Sequence, residues 1–304
     1  MFELLNQKIN TSKKYLFLCS LFFVLISCQE EVNIPLKSSD IVRVWVDGRI
    51  TNEFKNHRIR LTKTIGYLDN VEVPPLLDAK AYILEKGSGN KYNLTLIDST
   101  NGYYQTPKFK GVIGETYSFF LDCSIGSFIA TAYLDTVTKL DSINYSYEYV
   151  KLFKMGFYKI YLSAYDPPMK NYYRFYVYLN DTLVNYKVTD AAMADDQEFN
   201  GLYMANVEIY DMRQEWVKSK TNLLKVEMLS ISKEEYDDVH DYNDEINGGG
   251  SIFSGPSANV PSNVKNTSGG YDGLGLFSAS AISSKEITLL KQHKDSTNDP
   301  KFRP

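Results

Sequence analysis

Cysteine is nearly missing from this chain: three in 304 residues, at positions 19, 28 and 123. That rules out a disulfide framework and any cysteine-cluster metal site as the basis of the fold. A chain of this length has to rest on its own hydrophobic burial instead. Histidine is equally scarce, with His57, His240 and His293 far apart from one another. Charge of either sign is not in excess: 33 Lys and Arg against 37 Asp and Glu give −4. Without a basic cluster the chain lacks the means to neutralise nucleic-acid phosphates or adhere to anionic lipid, so no nucleic-acid partner is expected. No apolar run approaches the roughly 20 residues of a membrane-spanning helix. His-Glu-x-x-His, Gly-x-Ser-x-Gly, P-loop and dinucleotide-glycine patterns are all missing, so no residue is assigned as catalytic.

The one uncharged run, Tyr15 to Ile26, follows Lys8, Lys13 and Lys14. A basic stretch ahead of a short apolar run has the form of a secretory signal, here residues 1–27. Leu25-Ile26-Ser27-Cys28 resembles a bacterial lipobox. The resemblance implies cleavage before Cys28 and a triacylated, palmitate-class modification of that cysteine. More than one acyl chain makes such an anchor stable, since each buried methylene contributes about 0.8 kcal/mol. Residues 28–40 read as a lipidated tether. Gln29-Glu30-Glu31 resembles the surface-export signal of Bacteroidota lipoproteins. The expected location is the outer membrane, lipid-anchored at the cell surface, with the periplasmic face as the alternative. Cys123, at the end of an apolar strand, then remains as a structural thiol.

Tyrosine and phenylalanine are abundant, at 24 and 16 residues. With Thr, Val and Ile they fall in short alternating runs, the signature of strands. The spacing predicts a mainly β protein of two antiparallel β-sandwich-like domains. The N-terminal one, 41–137, is immunoglobulin- or prealbumin-like and has about seven strands. Asp47-Gly48 marks an expected bulge or kink in the first of them, Ile41 to Ile50. His57 to Thr64 alternates, with Ile59 and Leu61 opposite Arg58 and Arg60. The C-terminal domain, 138–290, is Tyr-rich. Its strand around Phe175 is bulky on both faces and so reads as central. Ser232 with Glu235 forms a capping box for one short helix, 233–246, with Tyr236, Val239, Tyr242 and Ile246 on one face and a solvated acidic remainder. Leu274 to Leu290 reads as one last strand closing this domain, and 291–304 as a flexible tail.

The candidate binding residues are Tyr172, Arg174, Tyr176 and Tyr178. They alternate onto one strand face, where phenol rings offer large contact area at low entropic cost. The bland alternative is that these rings pack beneath the helix or a neighbouring sheet. A metal site around His240 and its flanking aspartates has no ligand-like spacing. No metal and no cofactor is expected.

Several motifs also resemble a family. Val46-Asp47-Gly48-Arg49-Ile50-Thr51-Asn52, the Phe109 to Tyr117 segment, Asp166-Pro167 with Asn171-Tyr172-Tyr173-Arg174, Leu229-Ser230-Ile231-Ser232, Phe253-Ser254-Gly255-Pro256 and Gly273 to Ala279 are similar, in this order, to Bacteroidota lipoproteins with domain-of-unknown-function family 4249. Val44-Trp45 and Asp47 depart from that pattern. The resemblance names no catalytic residue. It implies an outer-membrane lipoprotein associated with TonB-dependent receptors. The function expected is therefore a noncatalytic accessory of nutrient uptake, with a receptor barrel as partner and a glycan or peptide as ligand. A structural or adhesive envelope protein is the alternative, and a glycan or peptide hydrolase with unmarked carboxylates a third.

Overall fold

The computed structural model describes residues 41–66, 71–152, 154–248 and 262–292. Residues 1–27, read above as a signal segment, Cys28, the residues read as a tether, Phe253 to Pro256 and nearly all of the expected tail lie outside the described residues. The fold is mainly β, in several sheets with one α-helix. Both of its cores fall in one compact unit, Asp40–Pro304.

The first sandwich packs two five-stranded sheets. One has the order β17-β1-β2-β6-β5 and the other β16-β8-β7-β3-β4. The strands are β1 (Val44–Thr51), β2 (Lys55–Lys63), β3 (Lys80–Glu85), β4 (Lys91–Asn93), β5 (Thr95–Asp98), β6 (Tyr103–Phe109), β7 (Thr116–Cys123), β8 (Gly126–Tyr133), β16 (Lys265–Asn266) and β17 (Leu274–Ser280). Alternation makes this core. His57, Ile59 and Leu61 point inward from β2, while Arg58 is exposed and Arg60 half-buried. Phe277 on β17 meets Phe119 on β7 at 5.4 Å between ring centroids, across the two sheets. Cys123 is half-buried; its thiol donates to the Gly126 carbonyl, and burial raises its pKa.

The second sandwich sets β9 (Leu140–Val150), β10 (Met155–Tyr165) and β14 (Tyr203–Arg213), in the order β14-β10-β9, against β12-β11-β15-β18 with β13 also on β11. Here β11 is Tyr172–Leu179, β12 Thr182–Leu183, β13 Ala192–Asp195, β15 Thr221–Ser230 and β18 Ile282–Leu290. Tyr158, Ile160 and Leu162 from β10 face Tyr173, Phe175 and Val177 from β11. As its doubly bulky sequence implies, β11 is central, with partners on both edges. Strands β14 and β15 have no counterpart in the sequence reading.

Two sequence expectations need correcting. Asp47-Gly48 is not a bulge, because β1 runs through it in register with β2 and β17. Glycine is required there by crowding: a Cβ at Gly48 would lie 2.7 Å from Ile59 Cγ1. Leu274 to Leu290 is not one strand of the C-terminal domain. It divides at buried Ala281 into β17, parallel to β1 in the first sandwich, and β18, antiparallel to β15 in the second. Val264, Phe277, Ala279 and Ala281 therefore belong to the first core. The sequential boundary at 137/138 describes where the chain first leaves that core, not where the core ends. Ser230 and Ala281 tie the crossover by two hydrogen bonds, Ser230 N–H to the Ala281 carbonyl (3.1 Å) and Ala281 N–H to Ser230 Oγ (3.0 Å).

Candidate functional site

The face of β11 opposite the core presents Tyr172, Arg174, Tyr176 and Tyr178 together, all half-buried. They do not form one open platform. Helix α1 (Lys233–Gly248) lies at one end, where Tyr236 packs on Tyr172 at 5.1 Å. At the other end Tyr178 donates to Glu227 Oε2 (3.2 Å) and lies under the Lys225 ammonium. Burial and the Glu227 carboxylate push the Tyr178 phenol well above its usual range. The middle pair, Arg174 and Tyr176, opens into a cleft of about 340 Å³.

Four parts of the chain wall this cleft: β1 with its partner β17, β11, α1 and, through Val188, the turn ahead of β13. Alternation on β1 sends Val44, Val46 and Ile50 into the core and leaves Trp45, Asp47 and Arg49 on the other face. Gly275 of β17 adopts φ 82°, and a Cβ there would meet the Val46 carbonyl oxygen at 2.1 Å, so only glycine lets β17 come this close to β1 beneath Trp45. The helix contributes Glu235, Asp238, Val239 and Tyr242.

Glu235 is the centre of the site. It is 2% exposed. Its Oε1 accepts from Arg49 Nη2 at 2.5 Å and from Arg174 Nη1 at 3.3 Å. Arg49 also donates to Ser280 Oγ at 2.7 Å. Burial works against the Arg49 charge, but Glu235 more than offsets it and raises the pKa further. The Arg174 guanidinium lies 5.0 Å from the Tyr176 ring centroid. Two buried polar atoms are left without partners, Arg174 Nε and Glu235 Oε2. One is a donor and the other an acceptor.

One turn along the helix, Asp238 is 7% exposed. Burial, then the charges of Asp241 and Glu235, push its carboxyl up to about 6. Tyr242 is pushed up to about 12 by burial and by Asp238. This corrects the expectation of a wholly solvated acidic face. Glu235, Asp238 and Val239 are buried and Tyr236 and Tyr242 half-buried, while Ile246, assigned to the packed face, is exposed near the C-terminal end of the helix. Ser232 does cap the helix, accepting the Glu235 N–H at 3.2 Å, but the Glu235 carboxylate turns to the arginines. No group of three metal-ligating His, Cys, Asp or Glu side chains gathers among the described residues, and no described helix is long and apolar enough to cross a membrane.

Sequence reasoning found Arg174 and Tyr176 and missed Trp45, Arg49, Glu235, Asp238 and Tyr242. The alternation of β1 held a signal for Trp45 and Arg49: with Asp47 they make up the face opposite the apolar Val44, Val46 and Ile50. Compared with known proteins, residues 29–286 match the family model described as Domain of unknown function (DUF4249). No curated protein matches the chain.

Proposed function

The chain belongs to the DUF4249 family, and from that footing we propose that it is a noncatalytic, lipid-anchored lipoprotein of the outer-membrane surface. In this reading it holds a hydroxyl-rich ligand, a glycan, in the cleft and docks on the barrel of a TonB-dependent nutrient transporter. The observation that carries the ligand part is the pair of unmet groups, Arg174 Nε and Glu235 Oε2, set among Trp45, Tyr176 and Tyr242. A hydroxyl both donates and accepts, so neighbouring sugar hydroxyls answer both groups at once. A carboxylate ligand would suit the guanidinium but face Glu235, Asp238 and Asp47; an ammonium ligand would meet the reverse conflict. Aromatic walls suit the apolar faces of a sugar ring. The anchor part rests on the leader and Cys28.

Trp45 and Trp216 are the two tryptophans of the chain, and Trp45 lines the cleft. In a Trp216→Phe background, neutral oligosaccharides should change Trp45 emission saturably, and Tyr176→Ala should weaken binding about tenfold. Emission that responds to no saccharide removes the ligand assignment. Purification of the lipidated protein from native membranes tests the rest. A transporter barrel should come with it, and the mature N-terminus should be acylated Cys28. Repeated recovery of the protein alone rejects the accessory role.

One observation favours a second reading, a glycan hydrolase. Asp238, its carboxyl pushed up to about 6, lies one helical turn from Glu235, which pairs with Arg49, an arrangement that suits a general acid beside a second carboxyl group. Turnover of aryl glycosides that disappears in Asp238→Asn would put this reading first.

A further inference from the structure

At one end of the second sandwich, away from the cleft, two carboxylates are buried together without a cation. Asp166 follows the end of β10 and is 0% exposed; Asp196 follows β13 and is 2% exposed. The register Tyr172↔Asp195 places Asn171 across from Asp196, and the Asn171 N–H donates to Asp196 Oδ2 at 2.7 Å. Asp166 is held beside them by its N–H to the Leu202 carbonyl (2.9 Å) and by Tyr173, on β11 and the second residue after Asn171, whose hydroxyl donates to Asp166 Oδ1 at 2.7 Å. The Asp196 charge acts on Asp166, and with burial as the larger cause it raises the Asp166 pKa. Neither carboxylate forms an ion pair among the described residues; the nearby Lys170 lies over the Tyr172 ring instead.

Two oxygens in this group have no hydrogen-bond partner of good geometry, Asp166 Oδ2 and Asn171 Oδ1, although the Gly201 N–H lies close enough to favour the Asp166 carboxylate. Both are acceptors, and both belong to residues more than nine-tenths buried. Buried carboxylates must be neutralised, by a proton or by a cation, because an unpaired charge away from water is prohibitive. A proton on Asp166 would satisfy its own oxygen but leaves Asn171 Oδ1 and the Asp196 charge unanswered. A cation answers all three.

We propose that Asp166, Asn171 and Asp196 bind a calcium ion that ties the 166–171 loop to the segment after β13. The donors are all hard oxygens, with no sulfur or imidazole, which excludes a zinc-type site. Two carboxylates, one amide oxygen, loop carbonyls and water suit the six to eight oxygen ligands that calcium takes, and sites of this kind in extracellular modules bind at about 0.1–1 mM. This departs from the sequence expectation of no metal. It does not depend on the glycan-binding reading.

The test uses the purified full chain stripped with chelator. Terbium replaces calcium, and Tyr173, bonded to Asp166, serves as the antenna for its luminescence. Expected are a saturable one-to-one terbium signal, its displacement by millimolar calcium but not by equal magnesium, and a rise in Tm with calcium. Asp166→Asn removes a buried bonded group and risks misfolding. Asn171→Ala is the safer variant, because the deleted oxygen has no partner to lose, and it should weaken terbium binding at least tenfold with the fold intact. An unchanged terbium affinity in Asn171→Ala, equal affinity for magnesium, or a Tm that responds to pH but not to calcium would overturn the proposal, the last by showing that a proton neutralises the pair.

Discussion

The Glu235 carboxylate is where the helix is fastened to the rest of the molecule, and its value can be worked out from the geometry. Replacing Glu235 with Gln removes the negative charge and keeps an oxygen of similar shape. Two charge-assisted hydrogen bonds are affected, from Arg49 at 2.5 Å and from Arg174 at 3.3 Å. Such bonds contribute about 1.5–3 kcal/mol each when buried. The arginine side chains are 21% and 17% exposed, so water recovers part of their solvation once the partner is lost. The longer bond is also the weaker. A combined loss of about 2–3 kcal/mol follows. It falls locally, because α1 touches the sheets through few other groups, chiefly Tyr236 on Tyr172 and buried Val239. With each 1.4 kcal/mol worth a factor of ten, the α1 amides should lose about 30- to 150-fold of their hydrogen-exchange protection. Amides of β7 and β15 should keep theirs. A change below threefold in α1 would refute the argument. Replacing Arg49, Arg174 and Glu235 together with Met supplies the control: removing all three charges should restore most of the protection, since apolar groups replace a buried ion cluster at little cost. If the triple variant stays as loose as Glu235→Gln, apolar packing cannot stand in for the charges, and the ion cluster itself holds the helix.

Other perturbations have outcomes that follow from burial and pKa. Phe277→Ala deletes a fully buried ring stacked on Phe119 and should cost about 3–5 kcal/mol, read as a lower urea midpoint; a loss under 1 kcal/mol would show that β17 is dispensable to the first core. Asp238 has a folded pKa of about 6 against an ordinary 3.8, so its ionisation opposes folding: the penalty is absent below about pH 4, grows to about pH 6 and is constant above. It amounts to at most about 3 kcal/mol. Asp238→Asn should therefore stabilise the protein at pH 7.5 and not at pH 4, as measured by Tm. His57 works the other way. Its buried ring is held down at about 4 from 6.5, chiefly by burial, with Nε2 on the Phe109 carbonyl at 3.2 Å. Its stabilising contribution is present above about pH 6.5 and is lost as pH falls toward 4, so His57→Gln should flatten that limb of the stability curve; an unchanged acid limb would show that the ring is not the group titrating.

Much of the β architecture was legible because local alternation and burial agree. The Ile59/Leu61 against Arg58/Arg60 pattern of β2 needs no tertiary knowledge, and neither does the doubly bulky β11. Other strands carried no such signal. In β14 the alternation is broken by register shifts against β10 at Ile160/Tyr161 and Leu162/Ala164. In β15 the paired Leu223-Leu224 and Met228-Leu229 blur any period of two. The parallel pairing of β1 with β17 is a different kind of failure. It pairs Arg49 with Ser278 and brings the Arg49 side chain to Ser280, 231 positions away, and no local pattern states which distant strand completes a sheet. The break at Ala281 is made by a small apolar residue, not by the Gly or Pro that usually marks a strand's end.

Glu235 shows why the site was harder to see than the fold. In sequence it sits three residues after Ser232, and that spacing is explained by helix capping. The explanation is half true: Ser232 accepts the Glu235 N–H. The return bond of a capping box would join the carboxylate to one neutral backbone N–H, worth about 1 kcal/mol. The same carboxylate can instead take two charged donors from β1 and β11, each worth more than the cap. Tertiary electrostatics therefore outcompetes the local motif. The apolar residues that periodicity assigns keep their part: Val239 is buried and Tyr236 and Tyr242 are half-buried, while Ile246, near the C-terminal end of the helix, is exposed. The buried acidic residues Glu235 and Asp238 flank that apolar stripe, so charge and packing seat the same side of the helix. In the Arg49→Met, Arg174→Met, Glu235→Met protein the apolar stripe should still seat the helix, and the contact of the Tyr236 and Tyr172 rings should persist as a nuclear Overhauser effect. Its loss would mean that the charge triad alone places the helix.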